Sequence, residues 1–307
     1  MKWINPGIAE IFDSVSGCKT MRSNESPTGF YAELGEDARG MHKYISASEI
    51  WFSYDFRLTS TWSSSNFGTI AFLKVIDSSD NIILYVAPLS KEDGIYLGIY
   101  NIKGTLLYTS EKSFIATVDN VWHNIEFHVK TGESGRIDIW LDTKLFCSFR
   151  SPSAFNGEMQ KIGISSKDGG VYSIVRNYRM YASSFIIQDT RRIGLEKFKK
   201  LTIDPDTEQN MPQGSTTTYK LSGLSDATEF SDITSVCALL QPTSRDTNIS
   251  TGTFSIEGAD VGTIDVSDSS GTAYEIAHAE TNSLTGKPWT RDDIEGKTLS
   301  FKVNGAS

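Results

Sequence analysis

Cysteine is scarce in this sequence. Cys18, Cys147 and Cys237 lie far apart, and none forms a CxxC pair. An odd, sparse set of thiols argues against a disulfide framework and predicts free thiols made in a reducing cytoplasm. The histidines, His42, His123, His128 and His278, are equally sparse. His123 and His128 are five positions apart on one predicted strand, so they point to opposite faces and cannot chelate a metal together. No Ser/His/Asp grouping, Cys/His cluster or phosphate-cradling glycine loop is present, so nucleophilic catalysis and zinc binding find no support. There is no basic block, and the net charge is −9 with a pI near 5.0. The positive stripe of a nucleic-acid-binding surface is therefore missing, and no nucleic acid partner is expected. No apolar run approaches the ~18 residues that span a bilayer, so no membrane insertion is expected. Residues 1–17 lack an apolar core followed by a small-residue cleavage site, so no secretory leader is expected. On that expectation the sequons Asn24-Glu25-Ser26 and Asn248-Ile249-Ser250 are chance matches.

Apolar residues make up 38% of the 307-residue chain and aromatics 11%, enough to build one large core or two ordinary ones. The most legible stretch is residues 121–149, VWHNIEFHVKTGESGRIDIWLDTKLFCSF. Val121, His123, Ile125, Phe127 and Val129 share one parity, while Trp122, Asn124, Glu126 and His128 share the other. That is the period of a half-buried strand. Ile137, Ile139 and Leu141 continue the pattern after a polar turn, and a third strand starts at Leu145. Such a meander needs a second sheet over its apolar face.

The same signals recur along the chain. Ile50, Phe52, Tyr54 and Phe56 alternate within residues 49–58. Asp77-Ser78-Ser79-Asp80 and Asn101-Ile102-Lys103-Gly104 read as hairpin turns between strands. Many short strands with hardly any helix predict a two-sheet sandwich. Residues 1–44 are the least regular. Ile8, Ile11, Phe12 and Val15 have helical spacing after Asn5-Pro6-Gly7, so a short amphipathic helix is expected in an arm or lid. Charge concentrates from Asp189 onward, and aromatics thin out beyond it. The expected division is therefore 1–44 arm or lid, 45–190 first sandwich, and 191–307 a second, smaller β-sandwich.

The run W-H-x-I-E-F-H-V … G-x-I-x-I-W-L-D-x-x-L resembles the central strands of laminin-G-like, concanavalin-A-like jelly rolls, especially those of bacteriophage virion proteins. The likeness covers roughly residues 45–187. Farther on, QDTRRIG (188–194), DPDTEQN (204–210) and ETNSLTGKPWTRDDIEG (280–296) resemble the second module of phage tail-associated proteins. In that module an Asn-x-x-Thr-Gly-x-x-Trp-Thr-x-x-Asp-Ile run closes a small β-sandwich. The resemblance implies an all-β chain, a concanavalin-A-like jelly roll followed by a smaller β-sandwich. It also implies a structural component of a phage tail, fibre, spike or capsid decoration, located in the virion and made in the host cytoplasm. A symmetric homo-oligomer contacting other phage structural proteins is expected. The alternative is an adhesion module that binds host surface glycan.

Concanavalin-A-like folds include glycoside hydrolases, whose retaining members need two carboxyl groups ~5–5.5 Å apart. No Glu-x-Asp-x-x-Glu run exists, and nothing in the sequence brings Glu126 and Asp138 onto one concave face, so no enzyme is expected. No cofactor is required by any motif. Calcium is the one ion the resemblance admits, and the acidic turns Asp77–Asp80, Asp119-Asn120 and Asp204–Asp206 are its candidates, though none has EF-hand spacing. Trp62, flanked by serines in a polar loop, is the candidate glycan contact. Trp122 and Trp140 fall on the outer sheet surface, in a subunit contact or under the N-terminal segment. In the last module Trp289, Thr290, Asp293 and Ile294 have the spacing of a capped helical turn with a hydrophobic staple.

Overall fold

The computed structural model describes residues 1–34, 40–59, 70–101, 103–114, 120–151, 155–166, 179–194, 196, 198, 200–204, 211–224, 232–241, 249–266 and 274–305. The chain divides into two units, Met1–Lys197 and Phe198–Ser307. In the first, the described strands begin with β1 (Lys2–Asn5), β2 (Ser14–Ser16), β3 (Cys18–Arg22), β4 (Phe30–Leu34) and β5 (Gly40–Ala47). Then come β6 (Glu49–Thr59), β7 (Ile70–Ile76), β8 (Ile82–Lys91), β9 (Gly94–Asn101) and β10 (Leu106–Thr109). The last are β11 (His123–Lys130), β12 (Arg136–Leu141), β13 (Lys144–Arg150), β14 (Met159–Ser166) and β15 (Arg179–Gln188). They make two antiparallel sheets. The eight-stranded sheet runs β13-β12-β11-β6-β15-β4-β3 with β1 beside β15, and the seven-stranded sheet runs β10-β9-β8-β7-β14-β5-β2. This is the expected two-sheet jelly roll.

Alternation decides which side of each strand faces the core. On β6, Ile50, Phe52, Tyr54, Phe56 and Leu58 are all buried. Phe127 on β11 pairs with Phe52 on one side and Ile139 of β12 on the other. Ile125, Phe127, Ile137 and Ile139 are fully buried, whereas Leu141 packs only partly against the core. It sits at the end of β12, where Asp142 and Thr143 turn the hairpin with φ of 46° and 70°. Leu84, Val86, Leu97, Ile99, Ile162 and Ile164 close the core from the seven-stranded sheet. Burial of this apolar surface is the main driving force for the unit.

Residues 1–44 are neither arm nor lid. β1 pairs with β15, β2 with β5 and β3 with β4, so the segment supplies strands to both sheets. The expected helix is a single 3-10 turn, Ala9–Ile11. Asn5 prevents more: its carboxamide oxygen accepts from the amides of Gly7 (2.9 Å) and Ile8 (2.7 Å), and its amide donates to the Ile8 carbonyl. Gly7 has a φ of 117°, which only glycine adopts readily. Ile8, Ala9 and Phe12 are buried as part of the sandwich itself.

The division between the units falls later than residue 190, because residues 189–194 are strapped onto the first unit. The Glu126 carboxylate accepts from the amides of Ile193 (2.8 Å) and Gly194 (3.1 Å) and from Arg192 Nε (3.3 Å). The Arg192 guanidinium lies 4.5 Å from the Trp140 ring centroid and donates to the Thr143 carbonyl at 2.8 Å. The QDTRRIG segment thus closes the jelly roll and does not open the second module.

The second unit holds β16 (Thr202–Asp204), β17 (Thr216–Ser222), β18 (Val236–Leu240), β19 (Ile249–Ile256) and β20 (Ala259–Asp265). β21 (Glu275–Ala279), β22 (Thr281–Asn282), β23 (Lys287–Pro288) and β24 (Thr298–Gly305) follow. The larger sheet runs β16-β17-β24-β19-β20, while β18 pairs with β21 and β22 with β23. Leu221, Phe254, Ile256, Val261, Phe301 and Val303 form its core with Val236, Ala238 and Ala277. Trp289 and Ile294, each 2% exposed, belong to this core and flank a 3-10 turn, Arg291–Asp293. The Asp293 carboxylate accepts from the Thr290 amide (2.8 Å) and from its hydroxyl (2.7 Å), so the shorter acid does reach back to the cap. Among the described residues, no helix is long and apolar enough to cross a membrane.

Candidate functional site

The outer face of a β-sandwich is ordinarily solvated and polar. That of the seven-stranded sheet is not. One row across it reads His42 (β5), Gly163 (β14), Lys74 (β7), Tyr85 (β8) and Tyr100 (β9), each the register partner of the next. Tyr85 and Tyr100 stack with ring centroids 4.7 Å apart and planes 5° from parallel. With Ala71 and Ala87 they make a small buried cluster separate from the main core. Gly98 is required there, since a Cβ would stand 2.6 Å from the Tyr100 ring. Gly163 leaves the space between His42 and Lys74 without a side chain.

Two residues along, Tyr44 of β5 stands opposite Lys161 of β14. The Tyr44 side of this row is open: Tyr44 is 51% exposed. Lys161 Nζ lies 5.2 Å from the Tyr44 ring centroid and forms an ion pair with Asp80. That hydrogen bond raises the Lys161 pKa. Tyr44, Asp77, Asp80, Gln160 and Lys161 surround a hollow of about 310 Å³.

His42 is the first member of the row and lies two residues before Tyr44 on β5. Burial, then the charges of Lys74 and Lys161, lower its pKa from 6.5 to about 4, so the imidazole is neutral at physiological pH. Its Nε2 is buried and has no hydrogen-bond partner among the described residues. Burial raises the Tyr100 pKa, so its phenol keeps its proton. The face thus offers an exposed aromatic ring, an ammonium, a carboxylate and an amide, with the His42 imidazole buried beside them. A sugar presents apolar C–H faces to a ring and hydroxyls to such polar groups, and small-molecule sites combine these elements.

The residues singled out from sequence are placed as follows. Trp62 lies outside the described residues, as do Asp119 and Asp206. The Asp77 carboxylate accepts from the amides of Ser79 and Asn81, both at 2.8 Å, and so shapes its own turn. Glu126 and Asp138 are buried on the outer face of the eight-stranded sheet. Glu126 holds the strap. Asp138 accepts from Ser148 Oγ (2.5 Å) and contacts His128 Nδ1 at 3.0 Å and Arg136 Nε at 2.5 Å. Burial alone would raise the Asp138 pKa, but these bonds and the Arg136 charge outweigh it and set it at about 2. Trp122 carries Arg57 over its ring at 5.6 Å, and Trp140 carries Arg192, so neither is a free platform. Sequence pattern gives no signal for Tyr44 or Lys161, and His42 stands out in it only as one of four scattered histidines. The period-two signal around them is broken by a register shift where β14 pairs with β5, between Met159 and Lys161.

No family model and no curated protein matches the sequence. Solved structures share the fold. An endo-beta-1,4-glucuronan lyase from the fungus Trichoderma reesei aligns with 61% of this chain and 95% of its own, at 11% identity and a TM-score of 0.43. The carbohydrate esterase of the Shiga toxin-encoding bacteriophage phi24B aligns with 58% of this chain and 90% of its own, at 14% identity and a TM-score of 0.41. The carbohydrate recognition domain of Emp47p aligns with 61% of this chain and 95% of its own, at 13% identity and a TM-score of 0.41. The likeness is one of fold. It nevertheless corrects the expectation that the chain is not an enzyme, because a lyase and an esterase stand among the like structures.

Proposed function

We propose that this chain is a glycan-binding component of a bacteriophage particle, and that the sugar binds on the outer face of the seven-stranded sheet around Tyr44. The observation that carries the binding reading is the open Tyr44 ring beside the Lys161–Asp80 pair, over the hollow that Asp77 and Gln160 also line. An exposed tyrosine contributes little to folding, and polar groups clustered around it suit hydroxyl recognition. The phage assignment is supported by the sequence resemblance over residues 45–187 and 280–296. A virion component of this kind is assembled in several copies against other structural proteins, with the glycan belonging to the host surface. Two experiments test the reading. The intact chain applied to an array of bacterial surface polysaccharides should select a subset of them. Antibody against the chain should decorate intact particles under the electron microscope, and unlabelled particles would remove the virion assignment.

A further inference from the structure

A second feature stands on the other sheet and was not anticipated from sequence. At one end of the eight-stranded sheet, Lys130 (β11) is the register partner of Arg136 (β12), and Arg136 of Arg150 (β13). Like charges directly opposite each other on neighbouring strands are destabilising. Three in a row, in a chain of net charge −9, are not explained by the fold. Neighbouring acids compensate only part of this charge. Glu49 pairs with Lys130 at 2.8 Å and with His128 Nε2 at 2.9 Å, and Asp138 contacts Arg136. The exposed Arg150 guanidinium forms no ion pair or hydrogen bond among the described residues. Two carboxylates thus face three permanent cations.

Glu49, Lys130, Arg136 and Arg150 border a hollow of about 350 Å³. That is near the small end of ligand pockets, which run ~300–1,000 Å³. Its remaining walls are the His128 ring, Ser134 and Gly135, and no apolar side chain lines it. Gly135 is forced, since a Cβ would lie 2.6 Å from the Ser151 carbonyl oxygen. His128 is fixed from behind by Trp51, whose ring stacks on it at 4.3 Å and 9°. A wall without apolar side chains does not suit a lipid or an aromatic ligand. A guanidinium matches the two oxygens of a carboxylate in a planar fork. The hydroxyl, imidazole and backbone groups around it suit a polyol.

We propose that this hollow binds the carboxylate of an acidic sugar unit, with Arg150 as the anchoring cation and Arg136 beside it. The site is on the opposite sheet from Tyr44 and does not depend on the reading above. The test is isothermal titration of the intact chain with oligogalacturonate and oligoglucuronate, with their carboxyl-reduced counterparts, and with inorganic phosphate. At least one oligouronate should bind, weakening as salt is raised from ~50 to ~200 mM, while the reduced forms should not. Arg150→Ala should weaken binding about tenfold or more, and Arg150→Glu should abolish it. Tyr44→Ala should leave it unchanged. Because Arg150 is exposed, both of its variants should keep the circular dichroism of the parent. The proposal is overturned if neither oligouronate binds, if the reduced forms bind as well, or if Arg150→Glu binds like the parent. Phosphate binding as tightly as the oligouronate would also overturn it, leaving only a nonspecific anion site.

Discussion

Replacing His42 by Gln should remove a defined part of the chain's acid sensitivity. The imidazole is largely enclosed on the outer face of the seven-stranded sheet between two ammonium groups, Lys74 on β7 and Lys161 on β14. Together, burial first, these lower its pKa from 6.5 to about 4. As pH falls below 6.5 the unfolded chain takes up a proton at this position, while the folded chain does not until about 4. Stability present above 6.5 is therefore lost down to about 4, and the difference amounts to about 3 kcal/mol. Urea unfolding followed by tryptophan fluorescence reads the first unit, since Trp289 is the only tryptophan of the second. Between neutral pH and about pH 4, the parent should lose about 3 kcal/mol more than His42→Gln, with the other histidines cancelling in the comparison. Equal losses in the two proteins would mean that His42 titrates normally and that the electrostatic picture of this face is wrong.

Other perturbations have equally direct outcomes. Phe127→Ala removes a fully buried ring from the centre of the jelly roll and should cost ~3–5 kcal/mol in the same unfolding assay; a loss below ~1 kcal/mol would reverse the assignment of faces. The Asp138 carboxyl, with its pKa moved from 3.8 to about 2, contributes about 2 kcal/mol that is present above 3.8 and lost as pH falls to about 2. Asp138→Asn should therefore destabilise the first unit at neutral pH and cease to differ from the parent near pH ~2. Trp289→Ala should lower the melting temperature of the second unit selectively, as scanning calorimetry would show, and an unchanged temperature would place the indole outside that core.

What could be read from the sequence was what depends on neighbours along one strand or turn. The alternation of Ile125, Phe127, Ile137 and Ile139 located the core because each strand buries one face. The turn around Trp289, Thr290, Asp293 and Ile294 was legible because its contacts lie within a few residues. The N-terminal segment was misread for the opposite reason. Ile8, Ile11 and Phe12 have helical spacing, but pairing with β15, β5 and β4 over long sequence distances prevails over one turn of helix. Glu126 shows the same limit, since its partners at residues 192–194 are visible only once the strap is folded onto the sheet. The candidate site is the extreme case: residues 42, 44, 74, 85, 100 and 161 converge from five strands, and no local pattern joins them.

Titration of an array-selected bacterial glycan into the intact chain and into Tyr44→Ala tests the central claim most directly. The ring is largely exposed, so the variant should melt with the parent while losing about tenfold or more in affinity. Undiminished binding by a normally folded Tyr44→Ala, or no glycan bound by the parent, would contradict the assignment of this face as the sugar site.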